Sequence, residues 1–203
     1  MHQSSLDHVR DLIGRHLDPA RPLEVIDVGA HDYHVGGGHP MPGSYRSLFD
    51  APNWRYRGMD LAPGPNVDIV QQSAYHFPLG SSSVDVVVSG QTFEHVEFFW
   101  LTFLEMVRVV RPGGLVFLLA PSRGPEHRYP VDCWRFYPDG FRALSKFARV
   151  ELVEVTTDWQ PNADAASALW GDTVGVFKKP ADQRARRFLR AFLLGFLARL
   201  LSR

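Results

Sequence analysis

The sequence predicts an α/β fold with a doubly wound, mostly parallel sheet, and three observations support that class. Short apolar, β-branched runs bounded by Gly, Pro and Asp alternate with longer helical patterns, as in a parallel sheet covered by helices. The length of 203 residues suits one α/β domain rather than two independent cores. Hydrophobic residues make up 45% of the chain and charged residues 22%, which excludes disordered and fibrous classes.

Seven runs are predicted to be strands. Val150 to Val155 and Thr173 to Phe177 come last in the chain and are expected to form an antiparallel edge hairpin. The other five are predicted to form the buried parallel part of the sheet. They are Leu23 to Val28, Tyr56 to Asp60, Val67 to Gln71, Val84 to Ser89 and Leu115 to Ala120.

Helical spacing predicts two helices in the second half of the chain. The segment from Phe98 to Val110 places apolar side chains on one face and stops at the breaker Arg111 to Gly114. Pro138 and Asp139 begin a second helix that reaches about Phe147.

The chain is expected to divide into one domain, residues 1–180, and a basic amphipathic C-terminal helix, residues 181–203. The segment after Pro180 contains six Arg and one Asp, together with many Phe and Leu residues. Such a helix could lie on an anionic membrane surface, or it could pack on its own domain or on a second copy in a homodimer. Its apolar residues spread over more than one face, which favours packing on protein.

Charge and cysteine content restrict the partners and the location. Lys plus Arg and Asp plus Glu number 22 each, so no polycationic surface is expected to hold nucleic acid. Cys133 is the single cysteine, which excludes an internal disulfide, and we expect it to pack as a small apolar side chain. The N-terminus has no secretory signal and no apolar run approaches about 20 residues, so we expect a cytoplasmic protein, with peripheral membrane contact through the tail as an option.

Polar residues at the ends of the first two strands indicate a nucleoside site. Asp27 and Gly29 end the first strand, and glycine at that point lets the backbone approach a ligand closely. Asp60 ends the second strand with a carboxylate suited to the two hydroxyls of a ribose. A dinucleotide fingerprint would need glycine where the chain has His31 and His34, so a pyrophosphate ligand is disfavoured.

The order of motifs resembles the class I S-adenosylmethionine-dependent methyltransferases over about residues 23–177. The resemblance implies a Rossmann-like methyltransferase fold, with His31 standing where the family usually has a second glycine. The matching pieces are Asp27 to Gly29, Asp60, Ser73 to Leu79, Ser83 to Gln91, Glu94 to Val96 and Glu105 to Gly114.

This resemblance also implies S-adenosylmethionine as the cofactor and assigns its contacts residue by residue. Asp27, Gly29 and His31 would lie at the methionine end, and Asp60 would hold the ribose with Leu61 beside it. Ser73 and Ala74 would lie near the adenine, and Gln91 would form the floor of the pocket.

Two further segments, residues 54–68 and 127–139, resemble small methyltransferases of polysaccharide and cell-envelope biosynthesis, including enzymes that methylate methylmannose polysaccharides. This narrower resemblance implies an O-methyltransferase with a saccharide or glycolipid hydroxyl as its acceptor. A quinone, lipid or small aromatic acceptor is the alternative substrate. A non-catalytic, cofactor-binding scaffold is the alternative from another functional class.

Methyl transfer to an alcohol requires in-line positioning and removal of the hydroxyl proton. His127 and His95 are the candidate general bases, and Glu94 and Asp132 are the carboxylates predicted beside them. A divalent cation such as Mg²⁺ could instead lower the pKa of the hydroxyl. The predicted acceptor contacts are Asp132, Arg135 and the aromatic residues Tyr129, Trp134 and Tyr137, whose rings could stack on a sugar.

Structural roles are the alternative for these side chains. Glu94 and His95 could brace the following helix, while the charged residues from His127 to Arg135 could form an ion-pair network. A second set of metal-ligand side chains matches no closed zinc pattern, so no metal ligand is predicted there. That set is His31, Asp32, His34 and His39.

Overall fold

The computed structural model describes residues 2–32, 44–161 and 168–181, and these build one seven-stranded sheet flanked by helices. The helices are α1 (Gln3–His16), α2 (Phe99–Val109) and α3 (Pro138–Ala148). The strands are β1 (Leu23–Val28), β2 (Trp54–Asp60), β3 (Ile69–Val70), β4 (Val84–Gly90), β5 (Val110–Arg123), β6 (Glu151–Thr157) and β7 (Gly171–Lys178).

The predicted fold class is confirmed. The strand order is β3-β2-β1-β4-β5-β7-β6, and β1 to β5 pair in parallel. Strand β7 runs antiparallel to both β5 and β6, as the predicted edge hairpin requires. Because the chain leaves β1 toward β2 on one side and returns as β4 on the other, the carboxyl ends of β1 and β4 form a topological switch point, where open α/β sheets bind ligands.

The seven predicted strands and the two helices predicted between residues 98 and 147 are present, and one helix was missed. Strand β3 is reduced to Ile69–Val70, which pairs only at the edge of β2. Helix α1 was not predicted, although Leu6, Val9 and Leu12 recur at helical spacing and are buried. The signal for α1 was therefore present in the sequence.

Helices cover both faces of the sheet, so its central strands are buried on both sides. One apolar cluster joins α2 and α3 to Ile26 and Val28 of β1. The other joins α1 to Val25 of β1 and to Val86 and Val88 of β4. This two-sided burial explains why these strands appear in the sequence as continuous apolar runs.

The predicted C-terminal helix lies outside the described residues except for Ala181, and so do His34 and His39. Within the described ranges, no helix combines the length and the apolar character needed to cross a bilayer.

A buried lysine anchors the end of α2. Lys179 follows β7 and is 5% exposed. Its ammonium group donates hydrogen bonds to the carbonyl oxygens of Val107 (2.6 Å), Arg108 (3.2 Å) and Val110. Carbonyl groups at a helix C-terminus have no donor within the helix, and the helix dipole also favours a cation there.

We expect Lys179→Met to lower the free energy of unfolding by about 2 kcal/mol, because buried carbonyl groups lose a charged donor. Urea unfolding followed by circular dichroism measures the change. Lys178→Met is the matched control, since Lys178 is exposed. Equal stability of the two variants would contradict the anchoring role.

Candidate functional site

The chain turns sharply at Gly29, directly after β1. Gly29 has a φ of +79°, and its N–H donates to the carbonyl of Met59 (2.9 Å). A Cβ atom at this position would lie 2.1 Å from Thr92 Oγ1. Glycine is thus required here because the backbone is left-handed and because the side chain of Thr92 occupies the space of a Cβ atom. The sequence analysis had explained this glycine by the close approach of a ligand, and it had not identified Thr92.

Asp27 lies within the sheet just before this turn. It is 2% exposed and accepts a hydrogen bond from the hydroxyl of Tyr56. Burial raises the pKa of Asp27 to about 7, although the hydrogen bond from Tyr56 acts in the opposite direction. Burial also raises the pKa of Tyr56, and the charge of Asp27 adds to that effect.

Asp60 joins the loops that follow β1 and β2. Its Oδ2 accepts the N–H of His31 (3.0 Å), and its Oδ1 accepts the N–H of Leu61 (2.6 Å). Oδ1 also accepts the N–H of Ala62 (3.4 Å), whereas Oδ2 keeps a second lone pair, so Asp60 is fixed in orientation and can still accept a hydrogen bond from a diol. Leu61, next to it, is 53% exposed and offers an apolar surface.

His31 is accommodated by a glycine in the neighbouring loop. A Cβ atom at Gly64 would lie 2.2 Å from Nε2 of His31. The same two loops are joined by a hydrogen bond from the N–H of Asp32 to the carbonyl of Pro65 (3.1 Å). The unusual histidine therefore belongs to a tightly connected pair of loops.

Ser73 and Ala74 lie in the loop after β3, which is docked on α2. The carbonyl of Ala74 accepts a hydrogen bond from the hydroxyl of Thr102 (2.9 Å), and Ser73 Oγ accepts the N–H of Tyr75 (3.1 Å). These bonds fix the backbone that is expected to face the adenine.

The Glu105 to Gly114 motif braces this loop rather than lining the site. Glu105 accepts the N–H of Phe77 (2.8 Å), and Arg108 donates to the carbonyls of Phe77 (3.1 Å) and Leu79 (2.8 Å). Glu105 and Arg108 also form an ion pair at 2.6 Å.

Gln91 lies directly after β4 with a φ of +58°. Its side-chain amide donates to Oδ1 of Asp172 (2.9 Å), a fully buried carboxylate at the start of β7. Nε2 of His2 lies 3.5 Å from the same oxygen. Asp172 was not predicted as a site residue. Its position as an acidic residue beside the apolar run that forms β7 could have indicated it.

Glu94, His95 and His127 converge at the carboxyl ends of β4 and β5. Glu94 and His95 lie on a single 3₁₀ turn after β4, and His127 lies in the loop after β5. Oε1 of Glu94 is 3.5 Å from Nε2 of His95 and 4.0 Å from Nε2 of His127. The two imidazole rings meet edge to face with centroids 4.8 Å apart. The predicted proximity of these three residues is therefore present in the structure.

The Glu94 side chain is fully buried, and within the described ranges no other residue donates a hydrogen bond to either of its carboxylate oxygens. Burial raises the pKa of Glu94 to about 8. Burial lowers the pKa values of His95 and His127. Each of these shifts favours the neutral form of the group.

Asp132 and Arg135 form the ion-pair network that the sequence analysis considered as the alternative to a role in acceptor binding. Two guanidinium nitrogens of Arg135 donate to the two oxygens of Asp132 at 2.6 Å and 2.9 Å. Oδ2 of Asp132 also accepts the N–H of His127 (2.8 Å). The hydrogen bonds from Arg135 hold the pKa of Asp132 far below its usual range, and the network fixes the loop that carries His127.

The three predicted aromatic contacts differ in their surroundings. Trp134 donates its indole N–H to the carbonyls of Val96 (3.1 Å) and Glu97 (3.2 Å), which makes it part of the loop framework. Tyr129 and Tyr137 are more than half exposed. Cys133, between these residues, is exposed, so the expectation that it packs as a small apolar side chain was wrong.

Comparison with known proteins connects this architecture to methyltransferases. Residues 43–118 match the family described as methyltransferase domain. An uncharacterised methyltransferase of Mycobacterium ulcerans is 35% identical over 132 residues, which are 57% of this chain and 48% of that protein. Another from Mycolicibacterium gilvum is 31% identical over 167 residues, 74% of this chain and 60% of that protein. The chain thus spans about half of the length of these curated relatives.

A solved structure shows the same fold. The 1,6-didemethyltoxoflavin-N1-methyltransferase of Burkholderia thailandensis, with S-adenosylhomocysteine bound, superposes with a TM-score of 0.64 at 17% identity, covering 88% of this chain and 79% of that one. The sheet order and this superposition give the chain the fold of Rossmann-like methyltransferases, and residues 43–118 match the methyltransferase-domain family.

We expect the stability contributed by Asp27 to be lost as the pH rises from about 4 to about 7. The pKa of this carboxyl is about 7 in the folded protein, against about 3.9 in an unfolded chain. Folding therefore favours the protonated form, and ionisation opposes folding. Relative to the unsubstituted chain, Asp27→Asn should gain free energy of unfolding between about pH 5 and about pH 8 in urea titrations.

Tyr56→Phe is the matched control for this prediction, because it removes the hydrogen bond that lowers the pKa of Asp27. It should make the pH dependence larger, whereas Asp27→Asn should remove it. A stability difference between Asp27→Asn and the unsubstituted chain that stays constant with pH would contradict the assignment.

Proposed function

We propose that this protein transfers a methyl group from S-adenosylmethionine to a hydroxyl of a saccharide or glycolipid. One observation carries the proposal: Thr92 connects the expected cofactor loop to the polar cluster. Its hydroxyl donates to the carbonyl of Val28 (3.3 Å), its side chain fills the space beside Gly29, and the turn that holds Glu94 and His95 begins at the next residue.

The residues at the strand ends fit S-adenosylmethionine by their chemistry. Asp60 would accept hydrogen bonds from the ribose hydroxyls, with its carboxylate already oriented by three backbone N–H groups. The backbone at Gly29 and His31 would face the methionine end, and Gln91 would form the floor of the pocket, held there by Asp172. When bound, S-adenosylmethionine supplies a methyl group already activated by its sulfonium sulfur, so the protein has chiefly to position the acceptor.

The cluster after β4 and β5 would take the proton from the acceptor. The acceptor oxygen bonds to the methyl carbon as the carbon–sulfur bond breaks, and the hydroxyl proton must leave. Nδ1 of His95 lies 2.6 Å from the carbonyl of Val131. A hydrogen bond from Nδ1 to that carbonyl leaves a lone pair on Nε2, the atom 3.5 Å from Oε1 of Glu94, and this lone pair would accept the proton.

Exposed aromatic side chains near the cluster support a sugar as the acceptor. Tyr129 is 59% exposed and lies 5.9 Å from His95, measured between ring centroids. Tyr137 is stacked on Trp159 with centroids 6.2 Å apart, and both rings are more than half exposed. Such rings offer apolar area to the C–H face of a sugar at a low cost in conformational entropy.

We expect Asp60→Asn to weaken binding of S-adenosylhomocysteine about 100-fold, because the charged acceptor for the ribose diol is lost. Isothermal titration calorimetry measures this, with Asp139→Asn on the exposed start of α3 as the control. A 2′-deoxy analogue of the ligand should lose much less affinity on the same substitution. Equal losses for the two ligands would show that Asp60 does not hold the diol.

Methyl-labelled S-adenosylmethionine, supplied with mannosides, glycolipids, quinones and phenols, tests the acceptor class. The label is expected in a sugar O-methyl group, and Tyr137→Ala should raise the KM for that sugar about tenfold without changing cofactor affinity. Phe147→Ala, at an exposed aromatic residue of α3, is the control. Label only in quinones or phenols would contradict the sugar acceptor, and cofactor binding without turnover would favour the scaffold.

A further inference from the structure

The buried carboxylate at the end of β4 is surrounded by groups that bind metals. Within the described ranges, one ligand atom from each of Glu94, His95 and His127 can be chosen so that all three lie within 4.8 Å of one another. Two ligands of one tetrahedral ion at about 2.1 Å lie about 3.4 Å apart. The separations of 3.5 Å and 4.0 Å from Oε1 of Glu94 to the two Nε2 atoms are close to that spacing.

Glu94 gives an independent reason to place a ligand here. Its side chain has no exposed surface, and neither of its oxygens accepts a hydrogen bond from another of the described residues. A buried polar group left without a partner costs about 1–3 kcal/mol, and more when it is charged. Oε1 faces the two imidazoles, so an ion bound between them would supply the missing partner.

The surroundings orient the imidazole of His95 as metal-binding proteins do. Its Nδ1 lies 2.6 Å from the carbonyl of Val131, and a partner on Nδ1 directs the Nε2 lone pair toward a metal. Nδ1 of His127 lies 3.4 Å from Oδ2 of Asp132, which is within ion-pair distance, but the two atoms form no hydrogen bond. Arg135 fixes Asp132 in turn. The side chain of His127 is 26% exposed, which leaves a path from solvent.

We propose that Glu94, His95 and His127 bind one divalent first-row transition ion. Two imidazoles and one carboxylate are the ligands of many zinc and non-haem iron centres, and they leave coordination positions open. Mg²⁺, the cation considered from the sequence, prefers an all-oxygen shell, which this cluster does not provide.

The role of the ion rests on the proposed function. Bound beside the cofactor loop, it would accept a lone pair of the acceptor oxygen and lower the pKa of that hydroxyl, so that the proton passes to solvent. The imidazoles would then act as ligands, because the same Nε2 lone pairs cannot also accept the proton.

Metal binding is tested on the untagged, full-length protein after chelation and dialysis. Co²⁺ is added while the visible absorption is recorded, and Zn²⁺ is then added to displace it. We expect one Co²⁺ per chain, with a spectrum of low-coordinate cobalt that Zn²⁺ abolishes. Glu94→Gln and His127→Gln should each weaken binding at least about 100-fold.

Two controls separate this site from other histidines. His16→Gln removes a histidine paired with Glu154 on the other side of the sheet and should leave binding unchanged. The double variant His34→Gln and His39→Gln should also retain binding. No Co²⁺ bound, binding unchanged in His127→Gln, or binding lost in the double variant would each overturn the proposal. If Glu94→Gln fails to fold by circular dichroism, His127→Gln decides, because its side chain is partly exposed.

Calorimetry with S-adenosylhomocysteine on the same samples separates the two proposals. Metal binding without nucleoside binding would reject the proposed function and retain the metal site. Nucleoside binding without metal binding would reject the metal site alone.

Discussion

The contact between Gly29 and Thr92 is the constraint on which the rest of the site depends. Gly29 takes a left-handed backbone conformation, and the side chain of Thr92 occupies the space where its Cβ would be. Thr92 and Ser89 both donate to the carbonyl of Val28, at 3.3 Å and 2.8 Å. The ends of β1 and β4 are therefore fixed relative to each other. The loop assigned to the cofactor and the turn that carries Glu94 are therefore held next to each other.

Burial of polar groups is concentrated at this same edge of the sheet. Asp27, Glu94 and Asp172 are almost fully buried carboxyl groups from three different elements. Asp27 has a hydrogen bond from Tyr56, and Asp172 has one from Gln91. Glu94 alone among these three accepts no hydrogen bond from another residue in the described part of the chain. A buried polar group in this position needs an explanation, and the proposed metal site would provide one.

The sequence allows the fold to be predicted more fully than the site. Apolar runs give the strands because two-sided burial leaves a continuous pattern, and Asp60 is recognisable because it ends such a run. The network of Asp132 and Arg135 could not be distinguished from a substrate site, since both use the same residue types. Glu94 and His127 lie far apart in the chain, so their proximity depends on tertiary contacts that no local pattern records. The same is true of the lack of a donor from another residue to the Glu94 carboxylate.

The meeting of His31 and Gly64 has a consequence for how such chains vary. A Cβ atom at position 64 would lie 2.2 Å from Nε2 of the imidazole, so a larger residue there requires the side chain of His31 to move. A shorter side chain at position 31 would free the same space. Substitutions at 31 and 64 should therefore be tolerated better together than a larger residue at 64 alone.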